Sequence, residues 1–143
     1  MTAPIPTRWV TQLHGQLSDA DRRLTLAERR LADGQGGRAL QEAYPGVMAA
    51  ALVRVWLADE AWHRSRSLQE YTLLLGAELP SGFAALAEMK GNSQSFAGWR
   101  VEDARPLVQE ARAFVSSVRQ ELDRRLAPPP SPRGPAGTEP RSA

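Results

Sequence analysis

The chain has 143 residues, 18 basic and 16 acidic side chains, a formal net charge of +2 and no cysteine. That length fits one domain. Without cysteine there are no disulfides, thiolate zinc sites, iron–sulfur clusters or cysteine nucleophiles, and the interleaved charges speak against a segregated basic stripe for nucleic acid.

The opening MTAPIPTRWVTQL has no basic region followed by an apolar one, so no signal peptide is expected. A first helix is predicted from Thr7 to Asp33. Val10, Leu13, Leu17, Ala20, Leu24, Ala27 and Leu31 recur at alternating spacings of three and four, which puts them on one apolar seam. Pro6 suits its start, and Gly34, Gly36 and Gly37 suit its end. The seam keeps phase through Gly15, so the helix is read as continuous there.

A second helical region is predicted from Arg38 to about His63, kinked or restarted at Pro45. Val47, Met48, Ala50, Ala51, Leu52, Val55, Trp56 and Ala58 make it apolar nearly all round, as suits a central helix buried on more than one side. Its apolar run contains Arg54 and is too short to span a bilayer, so no membrane segment is expected. A third helix, about Ser67 to Leu75, would bury Leu68, Tyr71, Leu74 and Leu75 and stop at Gly76. After the Pro80-Ser81-Gly82 turn, a short fourth helix from Phe83 to Lys90 would point Phe83, Leu86 and Met89 inward. A polar loop, Gly91 to Ser95, follows.

The last helix should begin near Val101-Glu102-Asp103, where acidic residues favour a first turn. Ala104, Val108, Ala111, Val115, Val118 and Leu122 form its seam, broadened by Leu107 and Phe114. Arg124 and Arg125 complement its C-terminal dipole, and Pro128 ends it. Residues 127–143 hold six of the eleven prolines and no large apolar side chain, the composition of a disordered tail. No stretch alternates with period two for long enough to make a strand. The expected architecture is all-α: an antiparallel bundle of about five helices over residues 1–126, framed by two long helices. Seams this long are often completed by a second subunit, which predicts a homodimer.

Groups able to do chemistry are few. Of the two histidines, His14 lies beside the first seam, and His63 at the expected end of the central helix would gain from its dipole. Asp59, Glu60 and His63 offer too few clustered ligands for a metal, and no cofactor motif is present. Gly34-Gln35-Gly36-Gly37 follows a helix rather than a strand, so it reads as a helix end and not a phosphate cradle. The four tryptophans read first as core or interface anchors. The basic side chains are seventeen Arg and one Lys. A GC-rich coding sequence accounts for that bias; recognition of phosphate or carboxylate is the sharper explanation. The candidate binding set is Trp62, His63 and Arg66 with Trp99 and Arg100, an aromatic and basic ledge for a nucleotide or single strand.

Three segments together resemble a known family. They are Leu26–Leu31 with Gly34 and Arg38-Ala39; Glu42-Ala43-Tyr44 leading into Met48-Ala49-Ala50-Ala51-Leu52; and Val101-Glu102-Asp103-Ala104 followed by Ala111, Phe114-Val115 and Leu122. The pattern is similar to HEPN domains (higher eukaryotes and prokaryotes nucleotide-binding), over Trp9 to Leu126. The resemblance implies a helical bundle with two long antiparallel helices. Many members are dimeric ribonucleases, often toxins, that bring together two copies of an Arg-x4–6-His motif. Others are non-catalytic modules, often beside a nucleotidyltransferase partner protein. No histidine lies between Lys90 and Arg100, where the motif belongs, and Arg8 with His14 falls at the wrong end of the first helix. The resemblance therefore implies a non-catalytic member that dimerises and binds a partner protein or nucleotide, in a toxin–antitoxin or stress setting; the expected lack of a signal peptide and membrane segment implies a cytoplasmic one. One alternative is a divergent ribonuclease using His63 as general base with Arg64 or Arg66 against phosphorane charge. Another is a helical interaction protein outside the family.

Overall fold

The computed structural model describes residues 4–63, 66–89 and 98–127. Its five helices are α1 (Thr7–Ala32), α2 (Gly36–Asp59), α3 (Leu68–Glu78), α4 (Ser81–Met89) and α5 (Val101–Leu126), and the described residues contain no strand. The expected loop at Gly91 to Ser95, and Lys90 before it, lie outside the described residues.

Both long seams are buried as their spacing predicts. In α1 the buried set is Leu13, Leu17, Ala20, Leu24, Ala27 and Leu31, with Val10 half-buried at the open end. In α5 it is Ala104, Val108, Ala111, Val115, Val118 and Leu122. α1 is unbroken through Gly15, whose position is open enough that an added Cβ would touch nothing.

The central helix differs from expectation in two ways. α2 starts at Gly36 and does not restart at Pro45, which lies inside one continuous helix. A proline inside a helix removes one hydrogen bond and costs about 3 kcal/mol. Buried residues from Ala39 to Leu57 outweigh that cost, since each large apolar side chain contributes roughly 1.5–3 kcal/mol. α2 also stops at Asp59, not His63, because Glu60 takes a left-handed conformation at φ 49°. His63 therefore lies outside the helix and cannot cap its dipole.

The three long helices make the frame. Arg23 and Arg30 of α1 both reach Glu42 of α2, at 4.0 and 3.8 Å, and Trp9 meets Trp56, so these two helices run antiparallel. On the other side, Arg54 pairs with Glu121 at 3.1 Å, Arg125 reaches the Leu57 carbonyl at 3.3 Å, and Gly36 abuts the backbone of Trp99 and Arg100. Early α2 thus meets the start of α5 and late α2 meets its end, so α2 and α5 run parallel. Arg112 of α5 binds Glu28 at 2.9 Å and Asp21 at 3.4 Å, and Arg119 also binds Asp21, which makes α5 antiparallel to α1. Six of the seventeen arginines, Arg23, Arg30, Arg54, Arg112, Arg119 and Arg125, thus serve as struts between helices. Such half-exposed pairs are worth about 0.2–1 kcal/mol each, so they set register more than stability.

α3 and α4 lie in the chain between the end of α2 and the start of α5. Phe83 and Leu86 of α4 enter the core, with Phe83 tilted against Tyr44 at 6.5 Å; the Met89 side chain lies outside the described residues. Burial raises the Tyr44 hydroxyl above its ordinary pKa.

α3 departs most from its predicted pattern. Tyr71, Leu74 and Leu75 are half-buried, but Leu68 is 83% exposed and no residue of the helix is fully buried. Gly76 does not stop it. It ends at Glu78 because Leu79 precedes Pro80 and takes the extended conformation that proline imposes.

What holds α3 locally is its start. Ser67 Oγ accepts from the Glu70 N–H at 3.1 Å, and the Ser67 N–H donates to Glu70 Oε1 at 2.8 Å, a complete capping box. Donation from the Ser67 backbone is the main reason the Glu70 carboxyl sits below its usual pKa. A carboxylate depressed in this way stabilises the folded helix above its unfolded pKa. That contribution is lost as pH falls through the lower folded value. Ser67→Ala should weaken the helix start by about 0.5–2 kcal/mol. The expected result is faster amide exchange over 68–78, with α1 exchange unchanged, and the same selective loosening when the native chain is acidified through the carboxylate range.

Candidate functional site

The candidate residues fall into two groups at opposite ends of the frame. Trp99 and Arg100 lie at the N-terminal end of α2, where an added Cβ on Gly36 would meet Trp99 O at 2.6 Å and Arg100 C at 2.7 Å. Trp62, His63 and Arg66 lie beyond the other end of α2, a helix of 24 residues. At 1.5 Å per residue the two groups are about 36 Å apart. They do not form one ledge. The reason is topological: the return through α3 and α4 starts α5 beside the start of α2, so residues 62 and 99 are separated by the length of the bundle.

The Trp99 end is simple. Arg100 Nη2 donates to Glu102 at 2.6 Å across an exposed pair, which lowers the Glu102 carboxyl and raises the guanidinium. Glu102 and Asp103 occupy the first turn of α5, where carboxylates complement the dipole.

The Trp62 end is denser. Trp9, Trp56 and Trp62 converge there from α1, α2 and the turn after α2. The Trp9 ring lies 5.1 Å from Trp56 at 80° and 6.3 Å from Trp62 at 60°. Arg125 arrives from the last turn of α5, with its guanidinium 5.6 Å from the Trp62 ring centroid. Arg125 Nη1 donates to the Leu57 carbonyl, and Nη2 lies 3.6 Å from Glu60. The last turn of α2 holds no basic residue of its own, so α5 supplies the cation that satisfies its end. Two buried donors at this end have no hydrogen-bond acceptor, Trp62 Nε1 and Arg125 Nη2.

The residues read as catalytic are otherwise engaged or apart. Arg66 donates to both Asp59 oxygens, Nε at 2.6 Å and Nη2 at 2.6 Å, and lies 3.5 Å from Glu70. The Asp59 hydrogen bond is the main cause of a raised Arg66 pKa. A fork already filled by one carboxylate has little left for a phosphate. His63 is exposed, with Glu60 3.8 Å from its Nε2. Arg64 lies outside the described residues. Asp59, Glu60 and His63 do not converge, and among the described residues no group of three metal-ligating side chains does. Among those residues no helix is long and apolar enough to cross a membrane.

Sequence reasoning placed Trp62 and Arg66 here but missed Trp9, Trp56 and Arg125 as their company. In the sequence, Arg125 shows only as a complement to its own helix dipole. The available signal was the lack of any basic residue in the last turn of α2, but nothing in sequence says which helix end comes to meet it.

Comparison with protein-family models, with curated proteins and with solved structures returns no match.

Proposed function

We propose that the chain is a non-catalytic, HEPN-like helical interaction module that works as a cytoplasmic homodimer and holds a partner protein or nucleotide. α3 carries the dimer reading. This 11-residue helix buries no side chain fully and leaves Leu68 83% and Leu73 71% exposed. Isolated helices of that length are marginal in water. Covering each leucine with a second copy would contribute roughly 1.5–3 kcal/mol. The dimer surface proposed here is α3, not the long seams that first suggested a dimer, since those seams are covered within one chain.

The test is sedimentation velocity on the native chain and on the Leu68→Glu/Leu73→Glu double variant, with circular dichroism as the folding control. A dimer that becomes a folded monomer on substitution supports the reading. A native monomer at every concentration removes its dimeric part.

The HEPN-like reading places the partner among nucleotidyltransferase-type proteins of toxin–antitoxin pairs. The ribonuclease alternative needs an arginine open to phosphate, and Arg66 is held by Asp59. RNA cleavage by the purified chain, abolished by His63→Ala, would favour that alternative over the one proposed.

A further inference from the structure

The tryptophan end of the bundle has the makings of a polyproline-binding notch. Its Trp9 ring meets Trp56 and Trp62 at steep angles instead of stacking. All three are only half-buried. Trp62 Nε1 is a buried donor without an acceptor, whereas Arg125 Nη2 has Glu60 3.6 Å away. A buried donor left unmade costs roughly 1–3 kcal/mol, so an occupant that brings acceptors is favoured. A polyproline helix brings them: it has no internal hydrogen bonds, and all of its carbonyls point outward. Aromatic notches with an indole N–H recognise such segments by packing the rings of proline against ring faces.

The chain supplies such a segment at that edge. Ala127 follows α5 with φ −63° and ψ 139°, already in the polyproline basin, and lies two residues after the Arg125 that covers Trp62. Residues 128–130 are three consecutive prolines, with further prolines at 132, 135 and 140. At 3.1 Å per residue the first three span about 9 Å, which exceeds the 6.3 Å between the Trp62 and Trp9 rings. A short tether gives an effective concentration on the order of millimolar, enough to fill even a weak site.

We propose that the segment 128–143 of the same chain docks on the notch of Trp9, Trp56 and Trp62, with one of its carbonyls accepting from Trp62 Nε1. The inference is independent of the α3 dimer. The experiment is a nitrogen–proton spectrum of the tryptophan indoles of the full chain, with Trp62 assigned by Trp62→Phe. It is compared with the Pro128→Ser/Pro129→Ser/Pro130→Ser triple variant, whose changes follow the last residue of α5. The expected result is a Trp62 indole proton that moves upfield beyond its linewidth and exchanges faster with solvent in the triple variant. The Trp99 indole, at the far end of the bundle, should stay in place and so report an intact fold. An unmoved Trp62 indole would overturn the proposal. A Trp62 resonance in the native chain that shifts on tenfold dilution would also overturn it, since the tail would then come from another copy.

Discussion

Phe83→Ala should lose about 3–5 kcal/mol of unfolding free energy, which is a large part of the roughly 5–15 kcal/mol that a domain this size possesses. Phe83 is fully buried and heads the largest side chains of the core, yet it sits on a helix of only nine residues. It and Leu86 are the described side chains that fix α4 in the core, one against Tyr44 and both within the cluster that includes the α1 and α5 seams. Removing the ring leaves a cavity that three long helices cannot close, because their own seams hold them at a fixed spacing. Urea unfolding followed by circular dichroism measures the loss. Phe83→Leu, which keeps most of the volume, should cost less than about 1.5 kcal/mol. An alanine variant as stable as the native chain would mean that α4 does not close the core.

Gly36→Ala should destabilise by about 1–3 kcal/mol, although alanine normally favours a helix over glycine by roughly 0.5–1 kcal/mol. The reason is contact with backbone. A Cβ at this position would lie 2.6 Å from Trp99 O, 2.7 Å from Arg100 C and 2.8 Å from Arg100 O. No rotamer change relieves such contacts, so the start of α5 must move away from α2. Gly15→Ala is the matched control. It lies in mid-helix with nothing within 4 Å of its would-be Cβ, so it should gain about 0.5–1 kcal/mol. Thermal melts of the two variants should therefore shift in opposite directions. A gain at both positions would show that α2 and α5 do not approach as closely at Gly36 as described.

The two long seams were legible because their 3-and-4 spacing admits one reading: an apolar stripe on a helix. The burial of α2 on more than one side was legible from residues apolar nearly all round, although Met48, Leu52 and Trp56 are only half-buried and Ala58 is exposed. The places where prediction and structure part are those where local signals compete. Pro45 looks like a break, but burial along α2 overrides it. Gly76 looks like a stop, but Pro80 sets the end of α3. The spacing of α3 puts Leu68 on one face with Tyr71, Leu74 and Leu75, but spacing does not say how much of that face is covered, and Leu68 stays outside with Leu73. The proposed ledge failed for a deeper reason. Sequence separation does not reveal that α2 and α5 run parallel, and that one fact puts Trp62 and Trp99 at opposite ends. What sequence did carry was the residue types at the Trp62 end: an aromatic, an arginine and an acidic neighbour. Their pairing, with Asp59 closing Arg66 and Arg125 covering Trp62, came only with the fold.

The proposed function depends most heavily on α3 as a contact surface between two copies of the chain. Amide hydrogen exchange over residues 68–78, measured across a hundredfold range of protein concentration, tests this directly. The account predicts protection in α3 that rises with concentration while protection in α1 stays constant, because α3 alone gains cover on association. Protection in α3 that is the same at every concentration would contradict it.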